Sequence, residues 1–98
     1  MKIVRNGQAG TLESGDVMVI VSPRAPEAQL QPELELEVHS IVEAQYGEEI
    51  RRVVRETLSG LGVADARVTI QDRGALDYCI RARVEAAAHR ATAADGEK

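Results

Sequence analysis

The sequence predicts an α+β fold, a two-layer sandwich in which two helices cover one face of a small, mostly antiparallel sheet. Polar and apolar residues alternate along segments 34–38 and 66–71, as in strands with one buried face. The apolar run 17–21 is rich in β-branched side chains and predicts a buried central strand. Two further segments carry apolar residues at helical spacing, so a single core accounts for every element. The predicted order is ββ-β-α-β-α.

The first two strands are predicted to form a β-hairpin. A strand over 9–12 is followed by the turn Glu13-Ser14-Gly15-Asp16 and by the apolar return strand. Gly15 suits a position with positive φ, and Ser14-Gly15 would then be a two-residue loop that holds the serine hydroxyl in solvent. Residues 1–9 show no sustained period and are expected to be mobile, with a brief extended piece at 3–4.

The third strand and the first helix follow a loop that contains two prolines. The strand turns Leu34, Leu36 and Val38 toward the core, and Leu30 is expected to extend that apolar face upstream. Ser40, three residues before a glutamate, predicts a capping box at the start of a helix that glycines end near residue 60. Gly47 is expected to mark a kink or a break in this helix.

The fourth strand and the second helix complete the sandwich. Strand, helix and strand in this order suggest a βαβ crossover if the two strands pair in parallel. A turn over 72–74 leads into a helix from Ala75 to Ala91. Its predicted inner face consists of Leu76, Cys79, Ile80, Val84 and Ala87. We expect residues 1–91 to form one domain and residues 92–98 to be a disordered tail.

Composition and charge exclude several functions. The net charge of −4 and the presence of only two aromatic residues, Tyr46 and Tyr78, argue against nucleic-acid binding. The single cysteine, Cys79, allows neither an intramolecular disulfide nor a cysteine metal cluster. The sequence shows no 18-residue apolar run and no signal peptide, so we expect a cytoplasmic protein without a membrane partner.

Groups for catalysis are not evident in the sequence. Ser14 lacks the Gly-x-Ser-x-Gly elbow of a hydrolase, and neither His39 nor His89 lies near it along the chain. No phosphate loop and no metal-ligand spacing occurs, so no metal is expected. From the residues alone, Ser14 is an exposed turn residue, and ordinary turn residues are the most common case.

Three blocks of the sequence carry a resemblance to a known family. The first is Gly10 to Met18, which reads GTLESGDVM, and the second runs from Asp72 to Asp77, with IRAR at 80–83 and EA at 85–86 beyond it. The third is VEAQYG at 42–47. In this order and spacing they resemble the acyl carrier protein, or gamma subunit, of citrate lyase, over roughly residues 1–91. Loop 23–31 does not match strongly.

The resemblance implies a covalent carrier rather than a catalyst. It implies that Ser14 is joined through a phosphodiester to 2'-(5''-phosphoribosyl)-3'-dephospho-CoA, with Glu13, Gly15 and Asp16 as the flanking turn. The thiol of this group would carry acetyl and citryl thioesters while citrate is cleaved to acetate and oxaloacetate. The implied partners are the alpha (acyl transferase) and beta (citryl lyase) subunits, a prosthetic-group transferase and an acetate ligase.

Three alternatives remain open at this point. The related carrier subunit of malonate decarboxylase resembles the citrate lyase subunit in carrying the same kind of group on a serine. A protein-interaction module with a βαβ core would need no modification at Ser14. A small hydrolase that uses Ser14 is the third, although no general base is visible in the sequence.

Overall fold

Four strands and two helices make up the computed structural model, which describes residues 1–92 apart from the side chain of Glu43. The strands and helices follow the predicted order, and a short 3-10 turn, Ala28–Leu30, lies between β2 and β3. The elements are β1 (Gly7–Gly10), β2 (Val17–Ser22), β3 (Leu34–Ser40), α1 (Glu43–Gly60), β4 (Ala66–Asp72) and α2 (Asp77–Ala91). Neither helix in the described part is long and apolar enough to cross a membrane.

The sheet has the strand order β1-β2-β4-β3. The β1–β2 and β2–β4 pairs are antiparallel, whereas β3 and β4 are parallel and are connected through α1. The prediction of a mostly antiparallel sheet with an N-terminal hairpin and a βαβ unit is therefore confirmed. β2 is central, as its continuous apolar run indicated, and β3 lies at an edge.

An aliphatic core lies between the sheet and the helices. Helix α2 packs on β1, β2 and α1, while α1 packs on β3. The largest fully buried side chains come from both layers: Leu58, Ile70, Ile80, Val17, Val19, Val21, Val53, Val54, Val68 and Val84. Burying a Val, Leu or Ile side chain contributes about 1.5–3 kcal/mol, so this small core carries most of the stability.

The start of the chain differs from the prediction, and only the first residue of the predicted tail is described. Residues 1–9 are not a mobile start, because Ile3 is only 4% exposed and the amides of Val4 and Arg5 donate to the carbonyl of Ala91. Thr92, predicted to begin a disordered tail, donates its hydroxyl to the carbonyl of His89. The rest of the predicted tail, 93–98, lies outside the described residues.

Four local expectations in the middle of the chain are wrong. Ser40 is the last residue of β3, three positions before the first residue of α1, so it does not cap the helix. Helix α1 runs without interruption through Gly47. Leu30 does not extend the apolar face of β3, because it is 84% exposed on the 3-10 turn. Helix α2 begins at Asp77, and Leu76 is 61% exposed instead of lying on its inner face.

One end of the sheet gathers three connections between elements. Asp72 at the end of β4 pairs with Val17 at the start of β2 and with Ser40 at the end of β3. The loop 11–16, the 41–42 connection and the 73–76 connection therefore leave the sheet at the same end. Both helices begin at this end, so the positive ends of their dipoles also lie there.

Leu76 occupies the N-cap position of α2 and makes no side-chain capping bond. Serine, threonine, aspartate and asparagine are favoured there, because their side-chain oxygens accept the free amides of the first turn. We expect Leu76→Ser to raise the free energy of unfolding by about 1 kcal/mol. Urea denaturation would measure the change, with Leu30→Ser as the control that removes an exposed leucine without adding a cap. Equal effects of the two substitutions would contradict the capping argument.

Candidate functional site

Ser14 lies at the tip of a β-turn at the end where the connections meet. The amide of Asp16 donates to the carbonyl of Glu13 at 3.0 Å, and Gly15 has φ +84 while Ser14 has a negative φ. A positive φ at the third turn position is the pattern of a type II turn, which places Ser14 at the second position. Ser14 is exposed. The turn is thus shaped for an outward-facing hydroxyl.

The hairpin connection is longer than predicted. β1 ends at Gly10 and β2 begins at Val17, so six residues, 11–16, separate the strands instead of the two-residue loop expected at Ser14-Gly15. The sequence predicted the position of the turn correctly but not where the pairing between β1 and β2 ends. Residues 11–16 lie outside this pairing, so other contacts must hold the loop.

Arg73 holds the loop from the neighbouring connection. Its carbonyl accepts from the amide of Gly15 at 2.7 Å, its amide donates to the carbonyl of Asp16 at 2.9 Å, and its Nε donates to the carbonyl of Leu12 at 3.1 Å. These three bonds tie the backbone on both sides of Ser14 to the end of β4. The two principal sequence blocks of the resemblance therefore meet in space.

Asp16 connects the loop to α2. Its Oδ2 accepts from the Thr11 hydroxyl at 2.7 Å, and its Oδ1 accepts from the amide of Val17 at 2.7 Å. Arg83 donates Nε and Nη2 to the two carboxylate oxygens, at 3.1 and 2.9 Å, in a bidentate pair. The thiol of Cys79 lies 3.5 Å from Oδ1. Asp16 therefore fixes the loop rather than projecting into solvent.

Asp72 fixes the other side of the site. It is only 3% exposed, accepts from the Ser40 hydroxyl at 2.8 Å and accepts from the amide of Ala75 at 2.9 Å. The amide of Val42 donates to the same Ser40 hydroxyl at 3.0 Å. A single buried carboxylate thus joins the ends of both parallel strands to the start of the α2 connection. Arg73 lies between Asp72 and Ala75, which the 2.9 Å hydrogen bond joins.

The other sequence-predicted residues have smaller roles in this network. Glu13 contributes its backbone carbonyl to the turn, and its amide donates to the Thr11 hydroxyl. His39 lines a shallow cavity of about 320 Å³ with Leu12 and Arg73, and its Nε2 lies 2.8 Å from the Glu37 carboxylate. Within residues 1–92, no hydrogen bond joins a histidine to Ser14, so the arrangement does not favour a Ser-His hydrolase.

The environment of Asp16 makes its contribution to the stability of the fold depend on pH. The Thr11 hydroxyl, the Arg83 guanidinium and the Val17 amide hold the pKa of Asp16 well below its usual range. The folded carboxylate therefore binds a proton more weakly than the unfolded one. Its stabilisation is present above the unfolded-state pKa, about 3.9, and is lost as the pH falls toward the folded-state pKa.

We expect Asp16→Asn to lower the urea midpoint at pH 7, because the bidentate pair with Arg83 loses its charge. The difference from the parent protein should shrink as the pH falls below about 4, because the unfolded parent then binds a proton at Asp16 while the folded carboxylate stays charged, so this contribution to stability is lost. Urea melts at pH 7 and at about pH 3 would measure it. Glu13→Gln is the control and should change neither midpoint. A difference in urea midpoint between the variant and the parent that is the same at both pH values would contradict a stabilising role for the charge of Asp16.

Comparisons with known proteins identify the class. A family model described as the malonate decarboxylase delta subunit matches residues 4–91. The citrate lyase acyl carrier protein of Klebsiella pneumoniae is 52% identical over 91 residues, which cover 93% of this chain and 89% of that protein. The citrate lyase acyl carrier protein of Haemophilus influenzae is 48% identical over 92 residues, which cover 94% and 90%.

A solved structure supports the same fold. A chain of the Pseudomonas malonate decarboxylase hetero-tetramer, crystallised in complex with malonate, superposes with a TM-score of 0.61. The match covers 89% of this chain and 88% of that one, at 17% sequence identity. At this identity the similarity concerns the fold alone.

The fold and the matches together define the class as acyl carrier proteins. Within that class, the chain belongs to the family of citrate lyase acyl carrier proteins, because relatives with that name share about half of its residues over 93% of its length. The resemblance seen in the sequence is therefore confirmed. The malonate decarboxylase carrier is related through the family model but is less supported, because the structural neighbour is far less similar in sequence.

Proposed function

We propose that this chain is the non-catalytic carrier subunit of a citrate lyase and that Ser14 is its covalent attachment site. The observation that carries the proposal is the exposed Ser14 at the second position of a turn whose backbone is braced by Arg73. An anchor must be exposed to the attaching enzyme and must hold a fixed direction for a long arm. The cofactor then supplies the chemistry and the protein supplies its position.

The residues at the turn suit a phosphodiester on Ser14 Oγ. The turn bonds of Gly15 and Asp16 run between backbone atoms, so substitution of the Ser14 hydroxyl leaves them intact. Both helices begin at this end, and their positive dipole ends favour a negatively charged group nearby. When bound, 2'-(5''-phosphoribosyl)-3'-dephospho-CoA would supply a thiol that carries acetyl and citryl groups as thioesters.

The proposal assigns this chain no catalytic residue and no metal. Within residues 1–92, no group of three or more His, Cys, Asp or Glu side chains could hold a metal ion. The alpha and beta subunits, the prosthetic-group transferase and the acetate ligase are the proposed partners. A tethered acyl group would reach their active sites at high effective concentration. The cytoplasmic location remains a prediction from the sequence.

Intact mass and peptide mapping of the protein from its native producer would test the attachment. We expect the added mass of the phosphodiester-linked coenzyme A derivative on the peptide that contains Ser14. Native, active material with an unmodified Ser14 would overturn the carrier proposal and favour an interaction module. Citrate-dependent rather than malonate-dependent turnover by the complex in which the chain is found would separate the two carrier alternatives.

A further inference from the structure

A second cavity lies beside the braced connection of residues 73–76. It has a volume of about 640 Å³, within the range of small-molecule sites, and it opens between the first turns of α1 and α2. We call it the tyrosine groove, because both tyrosines of the chain line it. Its other principal lining residues are Ile50, Ala75, Leu76 and Ile80.

The tyrosine groove exposes apolar surface that the fold does not need. Tyr46, Leu76 and Tyr78 are 56%, 61% and 72% exposed. Leu76 also occupies an N-cap position where a small polar residue would stabilise α2. Residues that lower stability and expose apolar surface around a concave site are typical of binding surfaces.

The groove also presents hydrogen-bond acceptors. Glu49 and Asp77 lie on its wall, and each has a carboxyl group that can accept a hydrogen bond. Partial desolvation and the Glu49 carboxyl raise the pKa of Asp77. The site therefore combines two aromatic rings, an aliphatic floor and carboxyl oxygens, a set suited to a flat heteroaromatic ring with an exocyclic amine.

The position of the groove relative to Ser14 limits what can occupy it. The 2.7 Å bond from the Gly15 amide to the Arg73 carbonyl brings Ser14 and Gly74 close together. Standard backbone dimensions then place the Cα atoms of Ser14 and Gly74 at most about 8 Å apart. In the group proposed for Ser14, about ten bonds separate the serine oxygen from the adenine, which is a reach of roughly 12 Å. The adenine can therefore enter the groove.

We propose that the tyrosine groove binds the adenine of the prosthetic group, with the ring between Tyr46 and Tyr78 and its amino group donating to Glu49 or Asp77. This inference rests on the proposed function, since it takes the group on Ser14 as its ligand. A tether provides an effective concentration in the millimolar range, so even weak affinity fills the groove. The nucleotide would then be fixed to the domain, and only the pantetheine segment would swing.

Free probes can test the groove without any modification of Ser14. We would titrate unmodified, isotopically labelled protein with adenosine monophosphate, inosine monophosphate and pantetheine, and follow the NMR signals of residues 46 and 74–80. Adenosine monophosphate is expected to give saturable shifts there at about millimolar concentration. Inosine monophosphate, which has a carbonyl in place of the amine, should bind at least about threefold more weakly. Pantetheine should not shift these signals.

Variants separate ring stacking from general apolar contact. Tyr78→Leu should weaken adenosine monophosphate binding about fivefold, whereas Tyr78→Phe, which keeps the ring, should bind like the parent. Leu30→Ala, which changes an exposed leucine outside the groove, should leave binding unchanged. The dispersion of amide signals reports folding for each variant.

Several outcomes would overturn the proposal. They are no saturable shift with adenosine monophosphate, equal binding of the inosine nucleotide, shifts with pantetheine alone, and equal effects of Tyr78→Leu and Tyr78→Phe. Modified protein from the native producer should show the groove shifts without added probe, and their absence would also overturn it. An unmodified Ser14 would overturn the proposed function instead, and the probe titration would still decide whether the groove binds adenine.

Discussion

Replacing Ser14 with alanine is expected to abolish the proposed citrate-cleaving activity of the assembled enzyme completely, because residues 13–16 contain no other hydroxyl for the proposed covalent link. The backbone bonds that shape the turn involve Glu13, Gly15, Asp16 and Arg73, and none uses the serine side chain. Stability should therefore change by no more than about 0.5 kcal/mol, as for other exposed positions. An activity assay and a urea melt of the same preparation would measure both effects, and its intact mass would report whether the variant is modified.

Ser59 provides a matched control for this substitution. It is an exposed serine near the end of α1, at the opposite end of that helix from the site. Ser59→Ala should keep full modification and full activity, with a small gain in helix stability. Activity retained in Ser14→Ala, or a mass addition that survives it, would assign the attachment to another residue.

The largest loss of stability is expected for Gly10→Ala. Gly10 has φ +95, and an added Cβ would lie 1.8 Å from the carbonyl oxygen of Val17. Backbone atoms cannot move aside as a flexible side chain can, so the hairpin must open where the serine loop begins. The strained left-handed backbone conformation and the overpacking together should lower the free energy of unfolding by about 3 kcal/mol or more.

Gly15→Ala separates strain from overpacking. Gly15 also has a positive φ, +84, but an added Cβ would meet no atom within 4 Å. Gly15→Ala should therefore lower the free energy of unfolding by only about 1–2 kcal/mol, which is the cost of the left-handed backbone conformation for alanine. Urea denaturation of both variants would measure the difference. Equal losses would show that the contact with Val17 relaxes, in contradiction to the overpacking argument.

Much of the fold could be predicted because its information is local. The β-branched run 17–21 predicted the central strand, and the alternation over 34–38 predicted a strand with one buried face, which the structure places at an edge. Helical spacing predicted an apolar stripe of Ile50, Val53, Val54, Leu58 and Leu61. The first four are buried on α1, and Leu61 is partly buried just beyond the end of the helix. Each of these patterns is set by the period of the element itself.

The site was only partly predictable because its contacts are long-range. The turn at Ser14 has local signals, but the length of the loop depends on where β1 and β2 separate. The pair between Asp16 and Arg83 joins residues 67 positions apart. No spacing rule links them, although both lay in sequence blocks that carried the family resemblance. Ser40 and Leu76 were misassigned because local capping and periodicity rules ignored where β3 and α2 end and begin.

The bracing of the serine turn determines whether it can be transplanted. Its shape depends on the Arg73 backbone and on the Arg83 guanidinium, which belong to segments far from residues 11–16 in the chain. A short peptide copied from this loop would lack both supports and would sample many conformations. A useful modification tag based on this protein must therefore include the whole domain, or a scaffold that reproduces both supports.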